Sequence, residues 1–138
     1  MLLVADTSVI LAVLLNEPDK ETLIKQTSGT ELAAPASLHW EIGNALSAML
    51  KRKRLTLEEA RKALQSYEQI PIRLIEVGLE EALTVAAHGD IYAYDAYFIV
   101  CALQLSSAII TLDGGLSAAA KRLGVEVVEV PRDRKSVV

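Results

Sequence analysis

The stretch LLVAD, residues Leu2–Asp6, is a short apolar run that ends at a carboxylate. Four similar runs follow it along the chain. They are Glu31–Ala34, Ile72–Val77, Ala108–Leu112 and Glu126–Val130. All five are mainly apolar, and apolar and polar residues alternate in them only in part, which is typical of strands buried on both faces of a sheet. The sequence therefore predicts five strands, with Asp6 at the carboxyl end of the first.

Helical patterns separate these strands. The predicted helices are Ser8–Leu15, Asp19–Gln26, Ser37–Lys53, Thr56–Gln69, Leu79–Ala87, Ala93–Leu105 and Leu116–Arg122. Strands that alternate with helices imply a parallel sheet with helices on both faces. We therefore predict an α/β protein built on a parallel five-stranded sheet.

Several boundaries have a local cause. Thr56 followed by Glu59 matches a capping box, and Asp19 is a good helix N-cap. Gly124 suits the left-handed position that follows a helix. Asp113 is expected to begin a strand-to-helix turn, because the residues after it form a helical pattern.

Composition limits the class of protein. The 138 residues, 51% of them hydrophobic, suit one compact domain over residues 1–138, with a polar tail at 131–138 that is expected to fray. Apolar runs are interrupted well before the ~20 residues that a membrane span needs. The N-terminus lacks the pattern of a signal peptide. Cys101 is the only cysteine and is expected to be buried, which fits a cytoplasmic location.

The net charge of −4 argues against a nucleic-acid partner, since such proteins usually have a basic balance. Two divalent cations would add four charges and bring −4 to zero, so RNA is not excluded. The basic run Lys51–Arg54 has two possible roles. It is either a solvated helix C-terminus or a contact to phosphates.

Four acidic residues are expected at one edge of the sheet. Asp6 and Asp113 end strands, whereas Glu41 and Asp95 lie near the N-termini of helices that begin on the same side. Each has an ordinary explanation as a helix cap, a turn residue or a first-turn acid. Ligands of open parallel sheets, however, bind at the carboxyl ends of the strands.

Taken together, the four acids predict a metal site. Two like charges ~5 Å apart repel by roughly 3 kcal/mol at an effective dielectric constant of 20, so the cluster needs a cation. Hard divalent ions prefer oxygen ligands. We predict that Asp6, Asp95 and Asp113 bind Mg²⁺ or Mn²⁺, with Glu41 as a further ligand or as a base that positions water.

Polar and aromatic neighbours surround these acids. Thr7, Ser8, Asn44 and Thr111 could orient the carboxylates, although capping or a place on a helix surface would explain each of them equally well. Tyr92, Tyr94 and Tyr97 surround Asp95 in sequence. They are expected to pack the start of its helix, and one of them could stack on a base.

Four motifs in this order resemble those of the PIN-domain ribonucleases and, within them, the VapC-type toxins of toxin–antitoxin pairs. The motifs are Val4–Ser8, Pro35–Ala45, Tyr94–Tyr97 and Thr111–Leu116. The resemblance extends from Leu2 to Val130 and implies a three-layer α/β/α PIN-like domain. It also implies a metal-dependent endoribonuclease that acts on RNA phosphodiester bonds, a homodimer, and a cognate antitoxin that covers the active site. Asp6, Glu41, Asp95 and Asp113 occupy the positions of that family's catalytic and metal-binding acids.

Two other functions remain open. The first is a Mg²⁺-dependent phosphatase or phosphoacceptor domain in which Asp6 is phosphorylated. Haloacid-dehalogenase-like enzymes need a second Asp where Ser8 stands, and receiver domains use a Lys where Pro131 follows Val130. The second is a non-catalytic PIN-like interaction module, and the presence of all four acids counts against it.

Overall fold

A computed structural model of the chain describes residues 1–132, so most of the predicted tail, 131–138, lies outside the described residues. All five predicted strands and all seven predicted helices are present. The strands are β1 (Leu2–Ala5), β2 (Glu31–Pro35), β3 (Ile72–Ile75), β4 (Ala108–Ile110) and β5 (Val127–Val128). The helices are α1 (Thr7–Leu14), α2 (Lys20–Thr27), α3 (Leu38–Lys51), α4 (Leu57–Gln69), α5 (Leu79–Gly89), α6 (Ala93–Leu105) and α7 (Gly114–Arg122).

The strands form one sheet in the order β3-β2-β1-β4-β5, and every neighbouring pair is parallel. From β1 the chain moves outward to β3, and it then crosses back to β4 and β5. Because such crossovers are right-handed, α1–α4 cover one face and α5–α7 cover the other. The packing agrees, since α1 contacts α2, α3 and α4, whereas α6 lies against β1, β2 and β4. The predicted three-layer α/β/α fold is confirmed.

The core lies around the two central strands and α6. Val4 in β1 and Ile109 in β4 are completely buried, as expected for strands covered on both faces. Each aliphatic side chain buried in this way stabilises the fold by about 1.5–3 kcal/mol. Cys101 of α6 is a buried free thiol, and burial raises its pKa to about 12. It therefore behaves as a small hydrophobic residue.

Three strands, β3, β4 and β5, are shorter in the structure than predicted, and β3 also differs in burial. β3 is one of the two outer strands of the sheet, and its residues Arg73 and Leu74 are exposed instead of buried on both faces. β4 ends at Ile110 because Thr111 and Leu112 leave the sheet and form hydrogen bonds beside Asp6 and Ser8. Among residues 1–132, no helix has the length and apolar character needed to cross a bilayer.

The local boundary signals are largely correct. The capping box is complete, because Thr56 accepts from the Glu59 backbone and the Glu59 carboxylate accepts from the Thr56 backbone. Gly124 has a φ of +84° after α7, and Asp113 is the N-cap of α7. Asp19 does precede α2, but its side chain makes no capping hydrogen bond.

Asp19 instead forms an ion pair with Arg132, in which the carboxylate is buried and the guanidinium is partly exposed. The Arg132 Nε lies 3.0 Å from the Asp19 Oδ2, and the side chains of Arg132 and Asp19 are 37% and 4% exposed. Arg132 Nη1 also donates to the carbonyl of Leu112 at 3.4 Å. This pair fastens the segment after β5 to the start of α2.

Replacing Arg132 with alanine would leave the buried Asp19 carboxylate without its cation. Breaking a fully buried ion pair lowers the free energy of unfolding by about 3–5 kcal/mol. Because Arg132 is partly exposed, we expect a smaller loss of about 1–3 kcal/mol. Urea denaturation at pH 7 measures this loss. Lys121→Ala is the matched control, because it breaks the exposed pair with Glu129 and should cost below about 1 kcal/mol. Equal losses in the two variants would contradict the structural role of the Asp19–Arg132 pair.

Candidate active site

The four predicted acids lie at the carboxyl edge of the sheet, near the boundary between β1 and β4, where the order of the strands reverses. From neighbouring β1 and β4 the chain proceeds toward opposite edges of the sheet, and such switch points form ligand-binding crevices. Asp6 directly follows β1, and Asp113 lies just beyond β4. Glu41 and Asp95 occupy the first turns of α3 and α6.

Asp6 is almost completely buried, with 4% of its surface exposed. Its Oδ1 accepts hydrogen bonds from Ser8 Oγ at 2.7 Å and from the backbone N–H of Val9 at 3.1 Å. Its Oδ2 accepts from Thr111 Oγ1 at 2.6 Å. The bond from Val9 caps α1, so the ordinary explanation of Asp6 is correct but incomplete. A carboxylate has about four acceptor positions, which leaves one on Oδ2.

Two hydroxyl groups connect Asp6 to the loop after β4. Ser8 Oγ accepts from the backbone N–H of Leu112 at 3.0 Å. Thr111 Oγ1 accepts from the backbone N–H of Asp113 at 2.9 Å. Each of the two hydroxyls also donates to Asp6. Because each one both donates and accepts a hydrogen bond, its orientation is fixed. Of the two alternatives for Ser8 and Thr111, these hydrogen bonds favour the one in which both hydroxyls orient the Asp6 carboxylate.

Glu41 is half-buried and points toward the start of α1. Its Oε1 accepts from Thr7 Oγ1 at 3.2 Å, and its Oε2 accepts from Ser37 Oγ at 3.1 Å. The bond from Thr7 favours the alternative in which Thr7 orients a carboxylate. Ser37 was not predicted as an orienting residue, although its position four residues before Glu41 is a spacing at which side chains meet on a helix.

Asp113 and Asp95 are held less tightly. Asp113 is exposed, and its Oδ1 accepts from the backbone N–H groups of Gly115 and Leu116 at 2.8 and 3.3 Å. Asp113 thus also acts as a helix cap. Asp95 is half-buried and forms no side-chain hydrogen bond or ion pair with any other residue of the described part of the chain.

The carboxylates are close enough to affect one another's ionisation. Burial raises the pKa of the Asp6 carboxyl, and the charge of Asp113 raises it further. Burial also raises the pKa of Glu41, with added contributions from the charges of Asp6 and Asp95. For Asp95, burial and then the charge of Asp113 raise the pKa. Within residues 1–132, none of the four acids forms an ion pair with a basic side chain.

This arrangement suits a hard divalent cation, because it offers several carboxylate oxygens with no competing cation of the described protein. Within residues 1–132, however, no three Asp, Glu, His or Cys side chains are grouped tightly enough to hold a metal as they stand. Like-charge repulsion opposes a closer approach of the carboxylates to one another. The structure thus brings the four acids to one edge, and their ligation of a metal stays a prediction.

A cleft of about 210 Å³ adjoins Glu41 and is lined by Thr7, Trp40, Asn44, Ala45 and Tyr94. Asn44 is among the residues that line the cleft, and within residues 1–132 its side chain donates to no carboxylate. Trp40 was not predicted as part of the site. The sequence could have pointed to Trp40, because it is the only tryptophan and directly precedes the candidate acid Glu41.

Asp95→Asn removes one charge from the cluster without removing a hydrogen bond to the described residues. The pKa of Asp95 is raised in the folded state, so its ionisation lowers stability at pH values above its unfolded-state pKa, and the penalty disappears as the pH falls below that pKa. We expect the variant to melt at a higher temperature than the wild type at pH 7 in EDTA, with a gain that shrinks toward pH ~4. Melting curves across this range test the sign, with the exposed Glu126→Gln as control. A lower melting temperature for Asp95→Asn at pH 7 would contradict the repulsive cluster.

Comparison with known proteins identifies the family. The family model described as PIN domain matches residues 3–122. Ribonuclease VapC9 of Mycobacterium tuberculosis is 32% identical over 117 residues, which are 84% of this chain and 89% of that protein. The crystal structure of PAE2754 from Pyrobaculum aerophilum has a TM-score of 0.66 at 25% identity and covers 91% of this chain and 83% of its own. VapBC2 from Rickettsia felis, bound to a DNA fragment from its promoter, has a TM-score of 0.69 over 95% of this chain and 100% of that one, and its 13% identity shows the fold alone. The chain therefore belongs to the PIN domain family and is related within it to the VapC ribonucleases.

Proposed function

We propose that this protein is a divalent-metal-dependent endoribonuclease that hydrolyses RNA phosphodiester bonds, and that it is the toxin of a toxin–antitoxin pair. The observation that carries the proposal is the set of four carboxylates at one sheet edge, three of which have raised pKa values. Its relationship to ribonuclease VapC9 supports RNA as the substrate.

Asp6, Asp95 and Asp113 would hold Mg²⁺ or Mn²⁺. Asp6 is the best prepared of them, because three hydrogen bonds fix its orientation and leave an acceptor position on Oδ2. When bound, a divalent ion supplies Lewis acidity, which lowers the pKa of water and offsets charge on the phosphate.

Glu41 would act as a further ligand or as the base that positions the attacking water. Thr7 and Ser37 each donate to one of its oxygens and so fix the plane of the carboxylate. Without a bound cation, burial raises the pKa of Glu41, and a carboxylate with a raised pKa takes up a proton more readily than an exposed glutamate. Accepting a proton from water at Oε1 or Oε2 would also relieve repulsion from Asp6 and Asp95.

The family also supports further proposals about partners and location. We propose a cognate antitoxin, a homodimer, a cytoplasmic location and a single domain over residues 1–138. Leu57 and Leu64 of α4 are 55% and 40% exposed, whereas Tyr67 is half-buried. The two leucines are therefore available to a protein partner.

The alternative functions have less support from the geometry. A phosphoacceptor of the haloacid-dehalogenase kind needs a second Asp where Ser8 stands, and Ser8 instead donates its hydroxyl to Asp6 Oδ1. A non-catalytic module would gain stability from neutral residues at these positions, because the clustered charges repel one another.

The first test is Asp6→Asn in an RNA cleavage assay with Mg²⁺ or Mn²⁺, using protein freed of any partner. Loss of a residue that merely orients a metal ligand costs roughly 10–100-fold in activity. We therefore expect loss of the ligand itself to lower the cleavage rate by at least about 100-fold. EDTA should abolish wild-type cleavage. Asp90→Asn changes the same charge at an exposed residue after α5 and should retain activity. Cleavage by Asp6→Asn at the wild-type rate would refute the assignment.

The second test detects the metal without activity. Mg²⁺ should raise the melting temperature of the wild type, since a ligand at 100 times its Kd adds ~2.7 kcal/mol to stability. Asp95→Asn should reduce or abolish this increase, because it removes a proposed ligand. Differential scanning calorimetry with and without millimolar Mg²⁺ makes the comparison. An increase of the same size in both proteins would remove Asp95 from the ligand set.

A further inference from the structure

Exposed aromatic rings are concentrated beside two of the acids. The chain has one Trp, four Tyr and one Phe. The three most exposed are Tyr92, Trp40 and Tyr94, at 87%, 75% and 61%, whereas Phe98 is 2% exposed. An aromatic ring contributes to stability mainly when its large apolar area is buried. The fold therefore gains little from these three rings, which suggests that they contact something other than the protein core.

Two of the exposed rings lie on the same cleft. Trp40 directly precedes Glu41 in α3, and Tyr94 directly precedes Asp95 in α6. Both rings line the 210 Å³ cleft together with Thr7, Asn44 and Glu41. The cleft is thus continuous with the acidic cluster, and its aromatic lining comes from two different helices.

Neighbouring rings restrict the exposed ones. Tyr94 and Tyr97 pack edge-to-face with centroids 5.9 Å apart and ring planes at 90°. Trp40 packs at 81° against His39, with centroids 5.0 Å apart, and His39 lies 5.9 Å from Tyr67. Edge-to-face packing is a preferred aromatic arrangement. Trp40 and Tyr94 therefore lose part of their rotational freedom before any ligand arrives, which lowers the entropic cost of binding.

We propose that this cleft binds one unpaired RNA base beside the phosphate that is cleaved, stacked on Trp40 or Tyr94, with Asn44 at the edge of the base. This inference rests on the proposed ribonuclease function and adds a specificity site to it. Single-stranded RNA is recognised by bases that stack on aromatic rings and hydrogen-bond at their edges. The Asn44 amide offers both a donor and an acceptor for such an edge.

The lining favours a base over other ligands. Glu41 borders the cleft and would repel a phosphate, whereas a base is flat and uncharged. The volume is below the ~300 Å³ at which sites for drug-sized ligands begin, so it suits one ring system and not an extended molecule. Outside the cleft, the protein has exposed basic side chains that the sugar-phosphate backbone of the RNA could contact. The exposed basic run Lys51–Arg54 starts at Lys51, the last residue of α3. Lys51 is ten residues after Glu41, which corresponds to about 15 Å along the helix axis.

Trp40 reports on the cleft directly, because it is the only tryptophan. The full-length Asp6→Asn protein with Mg²⁺ is titrated with an unstructured single-stranded RNA of mixed sequence, and Trp40 fluorescence is recorded. We expect saturable quenching by this RNA and little quenching by the same sequence paired in a duplex, where the bases are already stacked. Equal quenching by both RNAs, or none by either, would overturn the inference.

Cleavage kinetics provide the second arm. Trp40→Leu and Tyr94→Leu keep an apolar side chain but lose the flat ring, so we expect KM for single-stranded RNA to rise about 5- to 100-fold per stacked base in at least one variant. The matching phenylalanine variant should lie between that variant and the wild type. Leu83→Ala, an exposed leucine of α5 outside the cleft, should leave KM unchanged.

The outcomes separate this inference from the proposed function. If the wild type cleaves RNA and both leucine variants keep its KM, the base cleft is wrong and the ribonuclease stands. If the leucine variants lose only the affinity for a protein partner, the cleft is a protein-docking surface and the inference is again wrong. If no RNA is cleaved but single-stranded RNA quenches Trp40 selectively, the cleft stands and the proposed reaction fails. The Mg²⁺-dependent increase in melting temperature should persist in Trp40→Leu, showing that the acidic edge is intact.

Discussion

The hydrogen bond from Thr111 Oγ1 to Asp6 Oδ2, at 2.6 Å, joins two residues that are 105 positions apart in sequence and directly follow β4 and β1. It lies where β1 and β4 meet and where the chain departs in opposite directions. The same threonine accepts from the Asp113 backbone, so it sets the position of a second acid while it orients the first. The site therefore depends on the pairing of β1 with β4, and the core beneath these strands keeps that pairing in place.

The hydrogen bonds of Thr111 hold Asp6 and Asp113 near each other, although their negative charges repel. A buried carboxylate with a like charge nearby lowers the stability of the folded state at neutral pH, and the buried sheet and α6 must offset that loss. Hydrogen bonds from Ser8, Thr111 and the Val9 backbone reduce the penalty at Asp6 but do not reverse the direction of its pKa. Such a cluster is expected of a binding site and is unfavourable in a purely structural one.

The sequence predicted the fold well because hydrophobic runs and caps are local signals. Asp6 and Asp113 could be placed at one edge because parallel strands share their carboxyl ends. Contacts between distant segments could not be derived in this way. The partner of Asp19 is Arg132, near the other end of the chain, and it replaced the expected cap. Trp40 was overlooked because exposure is a property of the packed fold, whereas Ser37 could have been found from its helical spacing to Glu41.

The distribution of the acids along the chain has a consequence for protein synthesis. A nascent chain that has emerged only as far as α6 already contains Asp6, Glu41 and Asp95. It lacks Thr111, which orients Asp6, and the β4 strand that completes the edge. Domains fold as cooperative units, so the edge forms only after β4 and the residues Thr111–Asp113 have left the ribosome. A chain whose translation stops before β4 contains three of the four acids but lacks the contacts of Thr111 and β4 that bring the edge together.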